Sequence, residues 1–412
     1  MATDHALTWP LRSGLAERVT TSLAERLLGR ALAALPEGEL EIRSPGGQVR
    51  RFGRPAPDGL RATIEVVRPR MWRRVLAGGT LGAGEAYVDG DFETDDLTAL
   101  IRLFVRNRSM MGALDSGLAR GGMALARVLR AARENTRAGS RRNIREHYDL
   151  GNDLFARMLD PTMTYSAAVF EPPTLTLEQA SLCKLDRLLQ RLELSPSDRL
   201  LEIGTGWGSM ALRAAERGAR VVTTTISTQQ ATLARQRVSA AGLADRVQVL
   251  EVDYRDLQGQ FDKVVSVEMV EAVGARHLPR FFAEVAARLV PGGLLALQAI
   301  TIPDHELARH QREADFIQRH VFPGSSIPTV TSLVSAAGRA RLRLRHLDDI
   351  TPHYTRTLHE WRRNLAPHRA EIVARYGERF WRTWAYYLCE CEGAYAERYL
   401  GCVQLLFERE PV

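Results

Sequence analysis

Apolar runs alternate with stretches of helical periodicity along the chain from about Arg145 onwards. Five of these runs have the length and composition of buried strands: Arg199–Ile203, Arg220–Ile226, Val247–Val252, Lys263–Val267 and Gly293–Ile300. Because neighbouring parallel strands need helical crossovers, this alternation predicts an α/β fold with a mostly parallel sheet and helices on both faces. From about Pro352 the pattern predicts helices that are rich in tryptophan and tyrosine.

The first hundred residues predict a small α+β region. Leu15–Leu35 has apolar residues at helical spacing, and Leu40–Val49 and Ala62–Val67 have the composition of strands. Ser44–Gly47 contains one proline and two glycines and is a turn signal. Leu97–Leu129 predicts a further helical segment.

Positive charge is concentrated in one segment of the chain. Residues 101–145 contain 11 arginines and 2 acidic residues, a sum of +9. The hundred residues before them have 13 basic and 14 acidic groups, and the rest of the chain has 32 and 33, which gives −1 for each part. The charge of this segment favours binding to the phosphates of lipid head groups or of nucleic acid. A solvated helix face in an Arg-rich protein has the same composition. We expect residues 1–130 to form an N-terminal, membrane-associated domain, 131–145 an Arg-rich linker and 146–412 the larger α/β domain.

The composition excludes several classes of protein. With 412 residues, of which 45% are hydrophobic and 25% charged, the chain is globular, with two or three domains, and neither disordered nor fibrous. It lacks a run of about 20 apolar residues, so no membrane-spanning helix is expected. Cys183, Cys389, Cys391 and Cys402 lack metal-binding spacing, which predicts free thiols and no metal site. Met1–Pro10 lacks the pattern of a secretory signal, so we expect a cytoplasmic protein.

A glycine-rich loop follows the first predicted strand of the α/β domain. Arg199–Ile203 runs directly into Gly204, Gly206 and Gly208, and a helical pattern starts near Met210. Glycines let the backbone turn tightly and approach a ligand closely, and the following helix offers free N–H groups. The loop therefore predicts a cofactor site, although a strand–helix turn also uses glycine for packing alone.

The residues around the loop favour S-adenosylmethionine (SAM) over a nicotinamide dinucleotide. A dinucleotide site needs Gly or Ala at the third glycine position of the loop, where this chain has Ser209. It also needs an acidic residue at the end of the next strand, and the residues there, Thr223–Ser227, include no acid. Glu202 lies just before the loop and suits the ammonium group and ribose of SAM. Asp253 suits the adenine amino group and Tyr254 suits stacking on the ring, but Asp253 equally suits a helix N-cap.

Six ordered motifs carry a resemblance to a known family. They are His147–Asp153, Asp160–Ser166, Leu201–Gly208, Thr225–Gln230, Ser266–Gly274, and Phe322–Gly324 followed by Ile327–Pro328. In this order they resemble the cyclopropane-fatty-acyl-phospholipid synthases, a family of SAM-dependent fatty acid C-methyltransferases. The resemblance covers about residues 140–410, and Leu81–Gly90 resembles the family's N-terminal domain.

The resemblance implies a cofactor site formed by residues from several motifs. The residues implied to lie around SAM are Tyr165, Ser166, Gly204, Gly206, Thr225, Gln230, Tyr254 and Arg255. The loop and the strand ends add four more candidates: Glu202, Thr205, Gly208 and Asp253. The fold implied by this site is the Rossmann-like sheet of SAM-dependent methyltransferases.

The resemblance also implies a base site. In this family a bound bicarbonate ion serves as the base, and its pocket maps onto Ala167, Glu271, Gln298, Ile300 and Tyr354. The better-known synthases have Cys in place of Ala167 and His in place of Gln298, and Ala272 also replaces a frequent His. These departures resemble a branch that includes methyltransferases making mid-chain methyl-branched fatty acids.

The implied function is methylation of the double bond in unsaturated phospholipid acyl chains, with a cyclopropane fatty acid as the product. A methylene- or methyl-branched fatty acid is the alternative product. The implied enzyme is a homodimer that works peripherally at the anionic inner face of the plasma membrane and has no nucleic-acid partner.

Two other functions compete with this one. The first is a methyltransferase for a small soluble substrate or a nucleic acid, but the chain lacks an RNA-binding signature. The second is a non-catalytic protein that binds lipid or SAM, and it is motivated by Ala167 and Gln298.

Overall fold

The computed structural model describes residues 15–109, 151–312 and 315–411. The chain divides into two compact units, Met1–Gly122 and Met123–Val412. The linker predicted over 131–145 lies outside the described residues, as do most of the basic segment 101–145 and the start of the first motif. Among the helices of the described residues, none combines the length and the apolar character needed to cross a bilayer.

The described part of the first unit is a four-stranded sheet with helices. Its helices are Leu15–Leu32, Met71–Val88 and Leu97–Arg106, and its strands are β1 (Gly38–Arg43), β2 (Val49–Arg54), β3 (Arg61–Val66) and β4 (Phe92–Glu93). The strand order is β2-β1-β3-β4, with β1 and β3 parallel. Side chains of β1 alternate between buried and more exposed positions, as expected where only one face of a sheet is covered.

The strand predicted over Leu40–Val49 is instead a hairpin. β1 ends at Arg43, β2 begins at Val49, and the two strands pair antiparallel. The turn predicted at Ser44–Gly47 joins them: Gly47 N donates to Ser44 O and Ser44 N donates to Gln48 O. The Pro-Gly-Gly sequence therefore closes a hairpin within the predicted strand.

The second unit contains a seven-stranded sheet in the order β10-β11-β9-β8-β5-β6-β7. Its strands are β5 (Arg199–Ile203), β6 (Arg220–Thr224), β7 (Val247–Leu250), β8 (Phe261–Val267), β9 (Leu289–Thr301), β10 (Leu342–Asp349) and β11 (Gly401–Arg409). β5 to β9 form parallel pairs, whereas β11 is antiparallel to both of its neighbours. The five predicted strands correspond to β5 to β9, and the predicted α/β fold is confirmed.

Helices cover both faces of this sheet. The helices of the second unit's described part are Asn152–Met158, Leu177–Arg191, Ser209–Glu216, Thr228–Ala240, Leu278–Arg288, Leu307–Arg312, Phe316–His320, Val330–Arg339, Thr351–Leu365, Arg369–Tyr376 and Glu378–Ala396. One apolar cluster includes Phe281, Phe282 and Phe407, and a second includes Leu185, Met210 and Val238. Because both faces are covered, strand positions such as those of β5 are buried almost without alternation.

The sheet topology determines where a ligand can bind. β5 lies in the middle of the sheet, and the chain continues from it to β6 on one side and reaches β8 on the other. In open α/β sheets, ligands bind at the carboxyl ends of the strands where the strand order reverses. The glycine loop that follows β5 lies at this point.

Candidate active site

A cavity of about 330 Å³ lies at the carboxyl ends of the parallel strands. It is lined by the residues that follow β5, β6, β7 and β8, and by side chains from the helices Thr351–Leu365 and Glu378–Ala396. Among the predicted cofactor residues, those that line it are Tyr165, Ser166, Glu202, Gly204, Thr205, Gly206, Thr225, Gln230, Asp253, Tyr254 and Arg255. The cavity thus brings together residues that are up to 90 positions apart in the sequence.

Two of the loop glycines, Gly206 and Gly208, have different roles. Gly206 has a φ of 50°, lines the cavity and has open space where a Cβ would lie. Gly208, with a φ of 90°, precedes the helix Ser209–Glu216, and a Cβ there would lie 3.3 Å from that of Ala234. Gly208 does not line the cavity, so the structure gives it the packing role that was the alternative for this loop.

Glu202 is buried at the base of the loop. Its Oε2 accepts a hydrogen bond from Thr223 Oγ1 at 2.7 Å, and Thr223 Oγ1 lies 2.7 Å from Thr205 Oγ1. Burial raises the pKa of Glu202 to about 8, although the Thr223 bond and the charge of Lys184 oppose the increase. The site therefore holds a carboxyl group that favours its neutral form near neutral pH.

We expect Glu202→Gln to flatten the pH dependence of stability. Between the unfolded pKa near 4.5 and the folded pKa near 8, the unfolded chain has lost a proton that the native chain keeps, so wild-type stability falls as pH rises. For one titrating group, the free energy of unfolding changes by at most about 1.4 kcal/mol per pH unit. Glutamine keeps a side-chain oxygen that accepts the hydrogen bond from Thr223. Thermal melts at pH 5.5 and 7.5 should show a smaller decrease in Tm for the variant; equal decreases would contradict the raised pKa.

The segment after β7 carries the predicted adenine-binding residues. Asp253 caps the short 3-10 helix Tyr254–Asp256 by accepting from Arg255 N, and its Oδ1 also accepts from Arg255 Nε at 2.7 Å. The N-cap role of Asp253 is thus present while the residue also lines the cavity. Tyr254 packs edge-to-face on Phe281, and burial raises the pKa of its hydroxyl to about 12. The ring of Tyr254 is therefore fixed at the cavity wall as a neutral phenol.

Lys184 was not among the predicted site residues. It is fully buried in the helix Leu177–Arg191, and its Nζ donates to Ser166 Oγ at 2.8 Å. Burial lowers the pKa of Lys184 to about 8, against the opposing effect of nearby acids, Glu268 first. Its sequence signal was its rarity: it is one of only two lysines in a chain that otherwise uses arginine.

Two of the predicted base-site residues meet at the ends of β8 and β9. Glu271 is buried, and its Oε1 accepts from the backbone N of Ile300. Burial first, and the negative charge of Glu268 second, raise the pKa of Glu271 to about 8. Within the described part of the chain, Glu271 Oε2 has no hydrogen-bond partner. The second oxygen of this carboxyl group is therefore available to a group inside the cavity, which it lines.

The other three predicted base-site residues converge on a different carboxylate, Glu268. Its Oε2 accepts from Tyr354 Oη at 2.6 Å, and its Oε1 accepts from Gln298 Nε2 at 2.7 Å and from Ala167 N at 2.9 Å. Cys402 Sγ lies 3.6 Å from the same Oε1. Sequence reasoning missed Glu268, although it lies within the motif Ser266–Gly274 and directly follows β8.

The donors around Glu268 do not fit a free bicarbonate ion. Ala167, Gln298 and Tyr354 each donate a hydrogen bond to the Glu268 carboxylate, so the protein itself supplies the anion that they hold. Neither Ala167 nor Gln298 lines the cavity, whereas Glu268 does. We therefore derive no chemical step through bicarbonate in this chain.

Part of the cavity lining is apolar, and we call this part the apolar wall. It consists of Ile317, Phe322, Ile327, Leu358, Tyr387 and Leu400. Tyr387, on the aromatic-rich helix Glu378–Ala396, belongs to this wall, and its hydroxyl lies 2.7 Å from that of Tyr165. Trp384 instead packs in the core against Phe155, which is the ordinary role of an aromatic residue at helical spacing. The wall offers an apolar surface that suits a hydrocarbon chain.

Comparisons with known proteins identify relatives of this chain. Residues 135–405 match the protein family described as mycolic acid cyclopropane synthetase. The chain is 36% identical to the tuberculostearic acid methyltransferase of Mycobacterium tuberculosis, over 95% of this chain and 92% of that protein. It is 35% identical to the cyclopropane-fatty-acyl-phospholipid synthase of Escherichia coli K12, over 84% of this chain and 88% of that protein.

A solved structure shares the fold of the second unit. The mycolic acid cyclopropane synthase CmaA1, crystallised in complex with SAH and CTAB, superposes with a TM-score of 0.62 at 29% identity. The match covers 65% of this chain and 98% of that protein.

Proposed function

Because the chain belongs to the mycolic acid cyclopropane synthetase family, we propose that it methylates the double bond of unsaturated phospholipid acyl chains. It is a SAM-dependent methyltransferase. The observation that carries the proposal is a single cavity that is lined both by a glycine loop with acidic residues and by apolar side chains. A polar cofactor and a hydrocarbon substrate need these two surfaces next to each other.

The residues at the loop fit SAM. Gly206 leaves open space beside the backbone, Glu202 supplies a buried carboxyl group, and Tyr254 supplies a fixed aromatic ring. Thr225 and Gln230 are joined by a hydrogen bond of 2.9 Å at the end of β6, which holds both at the cavity. When bound, SAM supplies an electrophilic methyl group on a sulfonium.

The residues of the apolar wall support the reaction by excluding water. An alkene is a weak nucleophile, and methylation leaves a positive charge within the hydrocarbon chain, which water would capture. Phe322, Leu358 and Tyr387 provide a surface that keeps water away from such a charge. Positioning of the double bond at this surface contributes further to the rate.

We propose a cyclopropane fatty acid as the first candidate product, in line with the Escherichia coli relative. A methylene-branched product, which a separate reductase would convert into a methyl branch, is the second candidate. It is favoured by the altered base site, in which Gln298 and Ala167 hold Glu268, and by the similarity to a tuberculostearic acid methyltransferase over 95% of the chain.

The proposal extends to the place of action. We infer that the protein is a cytoplasmic homodimer that binds the anionic inner face of the plasma membrane. The sum of +9 over residues 101–145 supports binding to anionic lipid. Val19 and Leu23, one helical turn apart on Leu15–Leu32, are 59% and 55% exposed, and the exposed Arg26 lies on the same helix. Exposed apolar side chains beside arginines are typical of helices at a lipid surface.

The test is methyl transfer from SAM to vesicles of unsaturated phospholipid, with and without anionic lipid. We expect released fatty acids to gain one CH₂ unit, and more of this product from the anionic vesicles. A product that resists mild hydrogenation is a cyclopropane, and one that takes up hydrogen carries a methylene group. Glu271→Ala should lose most activity, whereas Glu178→Ala, an exposed acid on the helix Leu177–Arg191, should not.

Two outcomes would contradict the proposal. Binding of SAM without product from any unsaturated lipid would favour a non-catalytic protein. Methyl transfer to RNA or to a small soluble acceptor, with none to vesicles, would favour the competing class of methyltransferase.

A further inference from the structure

We propose that Glu268, a side chain of the protein itself, is the general base of the reaction. This inference rests on the proposed function, because it concerns the proton that leaves the methylated acyl chain. It adds a catalytic residue that sequence reasoning did not select.

The first argument is the set of donors around the carboxylate. A backbone N–H, an amide and a phenol converge on the two oxygens of Glu268 at 2.6 to 2.9 Å, and all three belong to residues predicted to hold an anion. Burial raises the pKa of Tyr354 well above its usual value, so the phenol keeps the proton that it donates. A carboxylate held only as an acceptor retains lone pairs for a further proton.

The second argument is access. Glu268 lines the cavity and is only half-buried, so its carboxylate is in reach of a bound acyl chain. The apolar wall and the glycine loop line the same cavity. A base has to lie within hydrogen-bond reach of the proton that it removes, and Glu268 lines the same cavity as the glycine loop and the apolar residues.

The third argument is the backbone. Glu268 has a φ of 48°, in the left-handed region that favours glycine. For a residue with a Cβ this conformation costs on the order of 1 kcal/mol, and such costs cluster at functional sites. Glycine would fit the backbone better but would remove the carboxylate on which the donors converge.

Glu271 is the competing candidate for the base. It lines the same cavity and has one free oxygen within the described part of the chain. However, burial and the charge of Glu268 raise the pKa of Glu271 to about 8, so near pH 7 it is mostly protonated and poorly suited to accept a proton. Neighbouring carboxyl groups with different environments divide acid and base roles in this way.

The proton balance is the same for both candidate products. The π electrons of the double bond form the bond to the methyl carbon, and the electron pair of the sulfur–methyl bond returns to sulfur. A proton then leaves the transferred methyl group for Glu268. Its C–H electron pair closes a cyclopropane ring, or forms the methylene double bond if a hydride has first shifted to the neighbouring cation. The base assignment therefore holds for either product.

The test compares Glu268→Gln and Glu268→Gly in buffer free of carbon dioxide and in buffer with added bicarbonate. Wild type should have the same rate in both buffers. Glu268→Gln should lose about 100-fold or more in rate in both, with its Kd for SAM within about twofold of wild type. Glu268→Gly should be equally impaired without bicarbonate and should regain at least about tenfold with it, because the donors then face a space for a free anion.

A matched control separates chemistry from backbone strain. Glu193 is exposed and has a φ of 52°, so Glu193→Gly relieves the same strain away from the cavity and should keep the wild-type rate. As a readout independent of activity, bicarbonate should raise the Tm of Glu268→Gly but not that of wild type.

The outcomes distinguish the two proposals. An active wild type that depends on bicarbonate, or a Glu268→Gln variant with a rate within about threefold of wild type, would overturn the base role and leave the proposed function intact. A wild type that methylates no unsaturated lipid under either condition would overturn the proposed function and the base role together.

Discussion

Replacing Gly206 with leucine is expected to lower the affinity for SAM at least about 100-fold while the protein stays folded. A Cβ at this position meets no atom within 4 Å, so the new side chain enters the cavity without displacing the core. It would fill space that the cofactor needs beside the loop, and 100-fold corresponds to about 2.7 kcal/mol. Isothermal titration of SAM into the purified variant measures the loss directly.

Gly242 offers a matched control for backbone strain. It has a φ of 69°, also meets open space, and lies at an exposed turn after the helix Thr228–Ala240. Leucine costs about 1–2 kcal/mol in the left-handed region at either site, so Gly242→Leu and Gly206→Leu should have similar Tm values. Unchanged SAM affinity in Gly206→Leu, or an equal loss in both variants, would show that the loop does not hold the cofactor.

The strands of the parallel region could be predicted because their sequences are continuously apolar and are separated by helices. β5 begins and ends at the predicted residues, and β6 to β8 differ from prediction by only a few residues. β10 and β11 were not predicted. Leu342–Asp349 alternates apolar and charged residues at an edge, and Gly401–Arg409 follows a long helix and inserts between β9 and β10. Such an insertion is a tertiary event that local periodicity does not signal.

The cofactor half of the site could be predicted better than the base half. The glycine loop and the strand ends have local signals, and the topology brings them to one edge of the sheet. The part of the site that holds the base could be predicted only by knowing which carboxylate accepts the hydrogen bonds from Ala167, Gln298 and Tyr354. Glu268 and Glu271 are three residues apart in one motif. Glu268 has a left-handed backbone and accepts several hydrogen bonds, whereas Glu271 lies in a short 3-10 helix and keeps one free oxygen within the described residues, a difference that the motif alone does not signal.

Removal of the Tyr354 hydroxyl tests this base half independently of the carboxylates. We expect Tyr354→Phe to lower kcat about 10- to 100-fold and to leave the Kd for SAM within about threefold of wild type. The hydroxyl donates to Glu268 Oε2 at 2.6 Å, and without it the carboxylate loses the donor that fixes this oxygen. The ring remains stacked on Tyr395 at 4.3 Å between centroids, so packing is preserved. Single-turnover methylation of vesicles measures the chemical step.

Tyr395→Phe provides the matched comparison because it removes a hydroxyl from the other ring of the same stacked pair. Within the described part of the chain, the Tyr395 hydroxyl is buried without a hydrogen-bond partner. Its loss should change the rate by less than about threefold and should not lower the Tm, since an unsatisfied buried hydroxyl costs roughly 1–3 kcal/mol. If both variants lost activity equally, the ring pair would act through packing. A loss confined to Tyr354→Phe would mean that the hydrogen bond to Glu268 positions the carboxylate for proton removal.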